Sequence, residues 1–355
     1  MFELIITADK GYGLFATQDI KRGTRIIAEE PMLVLPSDVN TSSLYTYLDK
    51  LTPDQHAQLS DLASTKHVAP PTLKQSIRQR LQAKYSGAAL DAAVEDSLKM
   101  HCTFLTNTVY MGPDVCFGMG IFLNYSHMNH SCRRNVHNSY NPTIGKETVH
   151  AIRDIKAGDE LLTSYIHTGL LIKEDRQKML AEHWGFDCRC EVCDGPDAAE
   201  CEQRRERLQR IGEGLAVYER HDRILTNFAP HPVPKDDAQA LAWLEESVGL
   251  LKEEGLAEHN LVHAYRQCSE YALKLGQAAK AMAYARKELE VERVCLGDET
   301  DHMEEGMEGA KFWIRHLEKM SEQEAVKDRM NQKREAKEQK KNDKKAAKKA
   351  AKGKK

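Results

Sequence analysis

Apolar and polar positions follow two different periods along the chain. From residue 1 to 36 the runs are short and strand-like. Phe2–Thr7 and Thr24–Pro31 are predicted strands. Between them Asp9-Lys10-Gly11-Tyr12-Gly13 and Asp19–Gly23 are predicted turns, the glycines permitting positive φ. From 38 to 105 the spacing becomes helical. Leu44, Tyr47, Leu48 and Leu51 share one face, as do Leu73, Ile77 and Leu81, then Val94 and Leu98. Thr52-Pro53-Asp54 is a helix start. Residues 106–166 return to short apolar runs broken by glycine. Val115–Met119, Ile121–Leu123, Thr148–Ile152 and Glu160–Tyr165 are predicted strands, with a turn at 156–159 and a helix at Lys173–His183.

Residues 199–320 are helical by pattern, interrupted at Pro230–Pro234. The clearest pair is His259–Leu275 and Gln277–Leu296, meeting at Gly276. One stripe carries Tyr265, Cys268, Tyr271, Ala272 and Leu275, the other Ala278, Ala281, Met282 and Ala285. The small residues allow close packing, as in a tetratricopeptide-like hairpin, although no second copy recurs at a 34-residue period. An ordinary helical bundle fits the pattern equally. Residues 321–355 are low-complexity, rich in Lys and Ala, and expected to be disordered.

A chain of 355 residues is long enough for two domains and a large core. It contains no run of about 18 apolar residues, so no membrane-spanning helix is expected. The N-terminal run reads as a strand and not as a secretory signal. Nine cysteines without an export signal favour metal ligation or burial over disulfides. The net charge of −3 conceals an asymmetry. Glu322–Lys355 holds 14 basic and 6 acidic residues, leaving 37 basic and 48 acidic residues in the rest of the chain. An acidic body suits basic partners, and a basic tail suits weak contact with nucleic acid or a nuclear-import role.

Three constellations could carry chemistry. Cys188-x-Cys190-x-x-Cys193 places three thiolates close enough to share a zinc ion. A fourth ligand must come from Cys102, Cys116, Cys132, Cys201, Cys268 or Cys295, and spacing does not choose among them. Asn129-His130-Ser131-Cys132, with Asn135 beyond it, is a polar run beside an apolar one, so its side chains need partners or a ligand. Glu160–Ile166 ends in Tyr165, which as an isolated feature is an ordinary core tyrosine.

Taken in order, Lys10-Gly11-Tyr12-Gly13-Leu14-Phe15, Asn129-His130-Ser131-Cys132, Glu160-Leu161 with Tyr165, and the Cys188/Cys190/Cys193 cluster resemble a SET-domain protein-lysine methyltransferase. The central insertion and helical C-terminal part resemble the SET-and-MYND branch. Residues 38–100 contain no cysteine, however, so the MYND zinc finger is absent, as in fungal-type relatives. Arg134 stands where the family often has proline, a change expected to matter little.

The resemblance implies an α+β fold. Residues 1–36 and 106–170 would be the two halves of a knotted SET core, split by a helical insertion at 37–105. Residues 171–198 would be a post-SET zinc segment, 199–320 a tetratricopeptide-like helical domain and 321–355 the tail. It also implies that S-adenosylmethionine is bound by Lys10, Gly11, Tyr12, Gly13, Ser126, Asn129, His130, Tyr165, Trp184 and Phe186. Gly11 and Gly13 would allow close backbone approach, Trp184 and Phe186 would pack on the adenine, and Tyr165 would be catalytic. Cys132 becomes the favoured fourth ligand beside Cys188, Cys190 and Cys193, giving one structural zinc. Thr163, two residues before Tyr165, leaves room in the lysine channel. The expected substrate is a lysine-containing protein, histone or not, and the expected protein is monomeric, nuclear or cytoplasmic, and not membrane-bound. The rival expectation is a tetratricopeptide-like adaptor with an inactive SET core; a zinc-stapled nucleic-acid binder is a third.

Overall fold

A computed structural model describes residues 1–39, 43–112, 116–166, 171–220, 231–298 and 309–352. Ten strands are named among them: β1 Phe2–Thr7, β2 Gly11–Ala16, β3 Arg25–Glu29, β4 Leu33–Leu35, β5 Val109–Tyr110, β6 Met119–Ile121, β7 Asn129–His130, β8 Val136–Asn141, β9 Lys146–Ala151 and β10 Leu162–Thr163. They form four small sheets: the antiparallel hairpin β1-β2, β3-β9-β8, β4-β6-β5, and the parallel pair β10-β7. Leu14, Ile27, Met128, Val149 and Leu161 are buried between them.

Gly11-Tyr12-Gly13 departs from expectation. It is the start of β2, paired with Ile5–Thr7, so the turn lies before it. Gly11 has φ +74°, which suits glycine at the turn exit. Strand β8 has no counterpart in the apolar pattern because His137, Asn138 and Ser139 read as loop residues. Its full pairing with β9 overrides that composition. Val115 and Pro230 lie outside the described residues.

The insertion is helical, as expected: α1 Tyr45–Leu48, α2 Pro53–Ser60, α3 Leu73–Leu81 and α4 Gly87–Asn107. Thr52 starts α2 with a reciprocal cap, its hydroxyl accepting from Gln55 N while Gln55 Oε1 accepts from Thr52 N. Next come α5 Leu123–Ser126, α6 Lys173–Trp184 and α7 Glu191–Asp194. The helical C-terminal region is α8 Ala198–Glu219, α9 Asp237–Glu253, α10 His259–Lys274, α11 Ala278–Leu296 and α12 Ala310–Lys352. Tyr265, Cys268, Tyr271, Ala272, Ala281 and Ala285 are buried as the stripes predict, but Ala278 is exposed. Residues 321–352, expected to be disordered, continue α12 instead. Ala, Lys, Glu and Gln are strong helix formers, so the helix needs no core. None of the described helices is long and apolar enough to cross a membrane.

A buried ion-pair cluster joins the sheets to the helical region. The Glu254 carboxylate at the end of α9 is fully buried and meets Arg133 at 3.6 Å, Arg205 at 3.0 Å, and Arg204. Arg134 pairs with Glu258, also buried, at 2.9 Å. Arg134 is therefore no neutral replacement for proline; it fastens the knot loop to the start of α10. Glu254→Ala leaves three guanidinium groups facing an uncompensated buried site. It should lower folding stability by about 3–5 kcal/mol, measured by denaturant unfolding, and an unchanged midpoint would show that the cluster carries no net stability.

Candidate active site and cysteine cluster

The site is built on a crossing of two chain segments. Glu29 prepares it by capping α5: its carboxylate accepts from the Asn124 amide nitrogen and side chain and from Tyr125 N, at 2.8–3.0 Å. The chain then enters β7, which runs parallel to β10 with Asn129 opposite Leu162 and His130 opposite Thr163. Ser131 N donates to Thr163 O and Asn135 N to Leu162 O. The Asn135 side chain closes the crossing, donating to Glu160 O at 2.8 Å and accepting from Leu162 N at 2.7 Å. An amide is suited to this position because it donates and accepts at once.

His130 connects the crossing to both sides. Its Nδ1 accepts from Tyr165 N at 3.0 Å, and its Nε2 lies 3.5 Å from Cys132 Sγ. Burial pushes its pKa down to about 4. The neutral ring therefore carries its proton on Nε2, facing the sulfur. Tyr165 donates its hydroxyl to Met128 O at 2.9 Å. Burial pushes its pKa well up, so it stays a phenol. Its ring lies 5.4 Å from those of His130 and Trp184 and 6.4 Å, edge-on, from Phe186.

The Glu160 carboxylate gathers the N-terminal hairpin. It accepts from Lys10 Nζ at 2.9 Å and Asn129 Nδ2 at 2.7 Å, and Asn129 also donates to Tyr12 O. A Cβ on Gly13 would lie 2.8 Å from Glu160 Oε1 and 3.0 Å from Asn129 Nδ2. The absence of a side chain at Gly13 thus makes room for this pair. Tyr12 is exposed, its ring against His127 at 5.5 Å.

A connected cavity of 2130 Å³ opens over the crossing. Of the expected cofactor residues, Lys10, Ser126, Asn129, His130, Tyr165, Trp184 and Phe186 line it; Gly11, Tyr12 and Gly13 do not. The insertion supplies another wall from Ala63 to Thr65 and at Leu105, continued by residues 106–110 that lead into and form β5. It is held there by His67, whose ring would stand 2.6 Å from a Cβ on Gly185, the left-handed residue that ends α6.

The four expected thiols meet behind Tyr165. The sulfurs of Cys132, Cys188, Cys190 and Cys193 all lie within 4.8 Å of one another, with Cys132 at 3.9 Å from Cys188 and 3.6 Å from Cys193. A tetrahedron with Zn–S bonds of about 2.3 Å has edges of about 3.8 Å, so the set fits one closed zinc site. Hydrogen bonds from the other thiols already hold Cys190 well below the usual thiol range. Cations surround the cluster: Arg176 reaches Cys193 Sγ at 3.8 Å, Lys173 Nζ donates to Cys193 O, and Arg205 donates to Cys132 O. They offset the charge that four thiolates leave on a divalent ion.

Residues 11–166 match the family model for the SET domain. The matched stretch carries the crossing and is a little under half of the chain. Histone-lysine N-methyltransferase set5 of Schizosaccharomyces pombe is 31% identical over 210 residues, covering 54% of this chain and 50% of that protein. Human N-lysine methyltransferase SMYD2 is 40% identical over 80 residues, 22% of this chain and 18% of that one. The chain thus spans about half the length, or less, of these curated relatives. A solved structure titled "Structure of Rubisco LSMT bound to AdoMet" aligns over 92% of this chain and 88% of that one, at 12% identity and a TM-score of 0.32.

Within the matched residues 11–166, two escaped the sequence reading. Tyr125 is partly buried with its hydroxyl 3.2 Å from Thr163 Oγ1, and the burial of that group pushes its pKa up to about 12. Glu147 is completely buried on β9; one oxygen accepts from Asn138 at 2.9 Å and the other has no partner. Both looked like ordinary strand or loop residues, and no spacing signal marked them.

Burial, with the Glu29 carboxylate adding to it, pushes Glu147 up to about 8. A raised carboxyl pKa means that the folded state holds a proton the unfolded chain releases near pH 4.5. Its contribution is therefore fully present below about pH 4.5 and is lost as pH rises towards 8. The stability of Glu147→Gln minus that of wild type should increase between pH 5 and 8 in denaturant titrations. Parallel profiles would show that the carboxyl does not titrate in this window.

Proposed function

We propose that the chain is an S-adenosylmethionine-dependent methyltransferase acting on lysine side chains of proteins. The observation that carries this reading is the crossing itself, which brings Asn129, His130 and Tyr165 onto one aromatic-walled cavity with a four-thiol cluster behind it. The relatives named above as lysine methyltransferases support it. A histone is the first substrate to try, because the S. pombe relative is named for that substrate. The nucleus or cytoplasm, a monomer, and weak contact of the basic tail with nucleic acid belong to the same proposal.

The residues present fit the donor. Lys10 offers a cation, Asn129 an amide, Trp184 and Phe186 flat apolar faces, and Ser126 a buried hydroxyl without a partner. S-adenosylmethionine, when bound, supplies an electrophilic methyl group. The chain's work is to present a neutral amine. A free lysine has a pKa near 10.4, so losing its proton at pH 7 costs about 4–5 kcal/mol. A channel walled by Tyr125, Tyr165 and Trp184 disfavours the charged form. The Tyr165 hydroxyl, held protonated by burial, orients the amine, and most of the acceleration comes from that positioning. One zinc held by Cys132, Cys188, Cys190 and Cys193 would keep Trp184 and Phe186 in place, since Phe186 lies two residues before Cys188. The paired helices α10 and α11 support a tetratricopeptide-like domain that walls one side of the groove.

Three measurements test this. Calorimetric titration with S-adenosylmethionine should show binding by wild type and none by Asn129→Ala; no binding by the wild-type protein contradicts the reading. Tyr165→Phe should cut methyl transfer to core histones at least about a hundredfold while the donor still binds, and normal turnover would remove Tyr165 from the chemistry. Metal analysis should give one zinc per chain, lost in Cys190→Ser.

A further inference from the structure

The donor and the cysteine cluster account for one end of the cavity. The other end is lined by β8 and β9, and there the fold leaves a buried acid without a counter-charge. Glu147 lines the cavity and is completely buried. Its register partner on β3 is Glu29 and on β8 is Tyr140. Residues directly opposite in antiparallel strands share a face, so two carboxylates stand side by side. Glu29 is satisfied by the three donors of α5. Glu147 has one donor, the Asn138 amide, and Oε2 has none. A buried carboxylate oxygen with no donor is costly and uncommon. Two further orphaned buried hydroxyls, Thr108 Oγ1 and Ser126 Oγ, belong to residues lining the same cavity. Glu147, Thr108 and Ser126 thus bring unmet hydrogen-bonding capacity to this cavity, where an entering polypeptide can meet it. Tyr140, opposite the acid on β8, is an aromatic neighbour, and its ring lies 5.7 Å from Phe117 and 6.4 Å from Phe122. A carboxylate beside an aromatic ring suits a cation with an apolar stem.

We propose that Glu147 is a specificity residue that binds a cationic side chain, ammonium or guanidinium, of the polypeptide entering the channel. This rests on the methyltransferase reading for the identity of that polypeptide, but not for the cation site itself. The cation has two possible sources: the target lysine on its way to Tyr165, or a basic neighbour of that lysine. Charge-assisted hydrogen bonds in a dry site separate either from a neutral side chain.

The test uses the full chain and Glu147→Gln, which keeps the shape and the Asn138 contact but cannot give up a proton to become an anion when a cation enters. Each protein is titrated calorimetrically with three short blocked peptides: lysine flanked by glycines, arginine next to lysine, and an all-glycine control. Titrations are run with and without S-adenosylhomocysteine. The proposal expects the variant to fold as wild type at pH 6 and to bind the better cationic peptide at least about tenfold more weakly. A loss on both lysine peptides assigns the target lysine as the cation; a loss on the arginine–lysine peptide alone assigns the neighbour. Equal binding of both cationic peptides by variant and wild type overturns the proposal. So does a wild type that binds them no better than the glycine control. Failure of the methyltransferase reading would appear separately, as absent S-adenosylmethionine binding in the wild type, and the cofactor-free titrations would still report on Glu147.

Discussion

Everything at the site hangs on a two-residue parallel ladder. Asn129–His130 and Leu162–Thr163 are far apart in sequence and make too few hydrogen bonds to hold each other alone. The pairing persists because Asn135 fills the gap with its amide and His130 with its ring. Losing either partner would leave buried backbone groups unpaired, at about 1–3 kcal/mol each. The ladder also fixes which atoms face the cavity, so a polar motif that resembles a surface loop becomes a rigid floor.

From this crossing, order spreads in two directions. One passes through His130 to Cys132 and the three thiols of the segment 188–193, which lie 56 to 61 residues further along. Closing so long a loop costs entropy, and the four sulfurs, all within 4.8 Å of one another, mark where it closes. The other passes through Arg133, Arg134 and Arg205 to the buried carboxylates of Glu254 and Glu258. Arg205 belongs to both, since it also donates to Cys132 O. The helical region is thus built into the back of the cysteine cluster.

The sequence made the core legible where residue type and chemistry coincide. The strands at Phe2–Thr7 and Thr148–Ile152, the capped helix at Pro53, and the four thiols all follow from local pattern or from the resemblance. What was not legible depends on contacts between distant segments. Gly13 read only as a residue freed for a ligand, whereas the fold also sets Glu160 and Asn129 against it. Arg134 looked neutral because its partner lies 124 residues away. Glu147 carried no signal, because a glutamate in a strand is normally solvated and only the fold buries it. The continuation of α12 past residue 320 shows the converse: local propensity gives a helix where low complexity suggested disorder.

The central claim is that the cysteine cluster and the donor pocket are one structure, joined through His130 and Phe186. The most direct test is calorimetric titration with S-adenosylmethionine, first on zinc-replete protein, then after chelation, then after zinc is restored. The account predicts binding that is lost on chelation and regained with zinc, while the helical region stays folded by circular dichroism. Unchanged donor affinity in metal-free protein would contradict it.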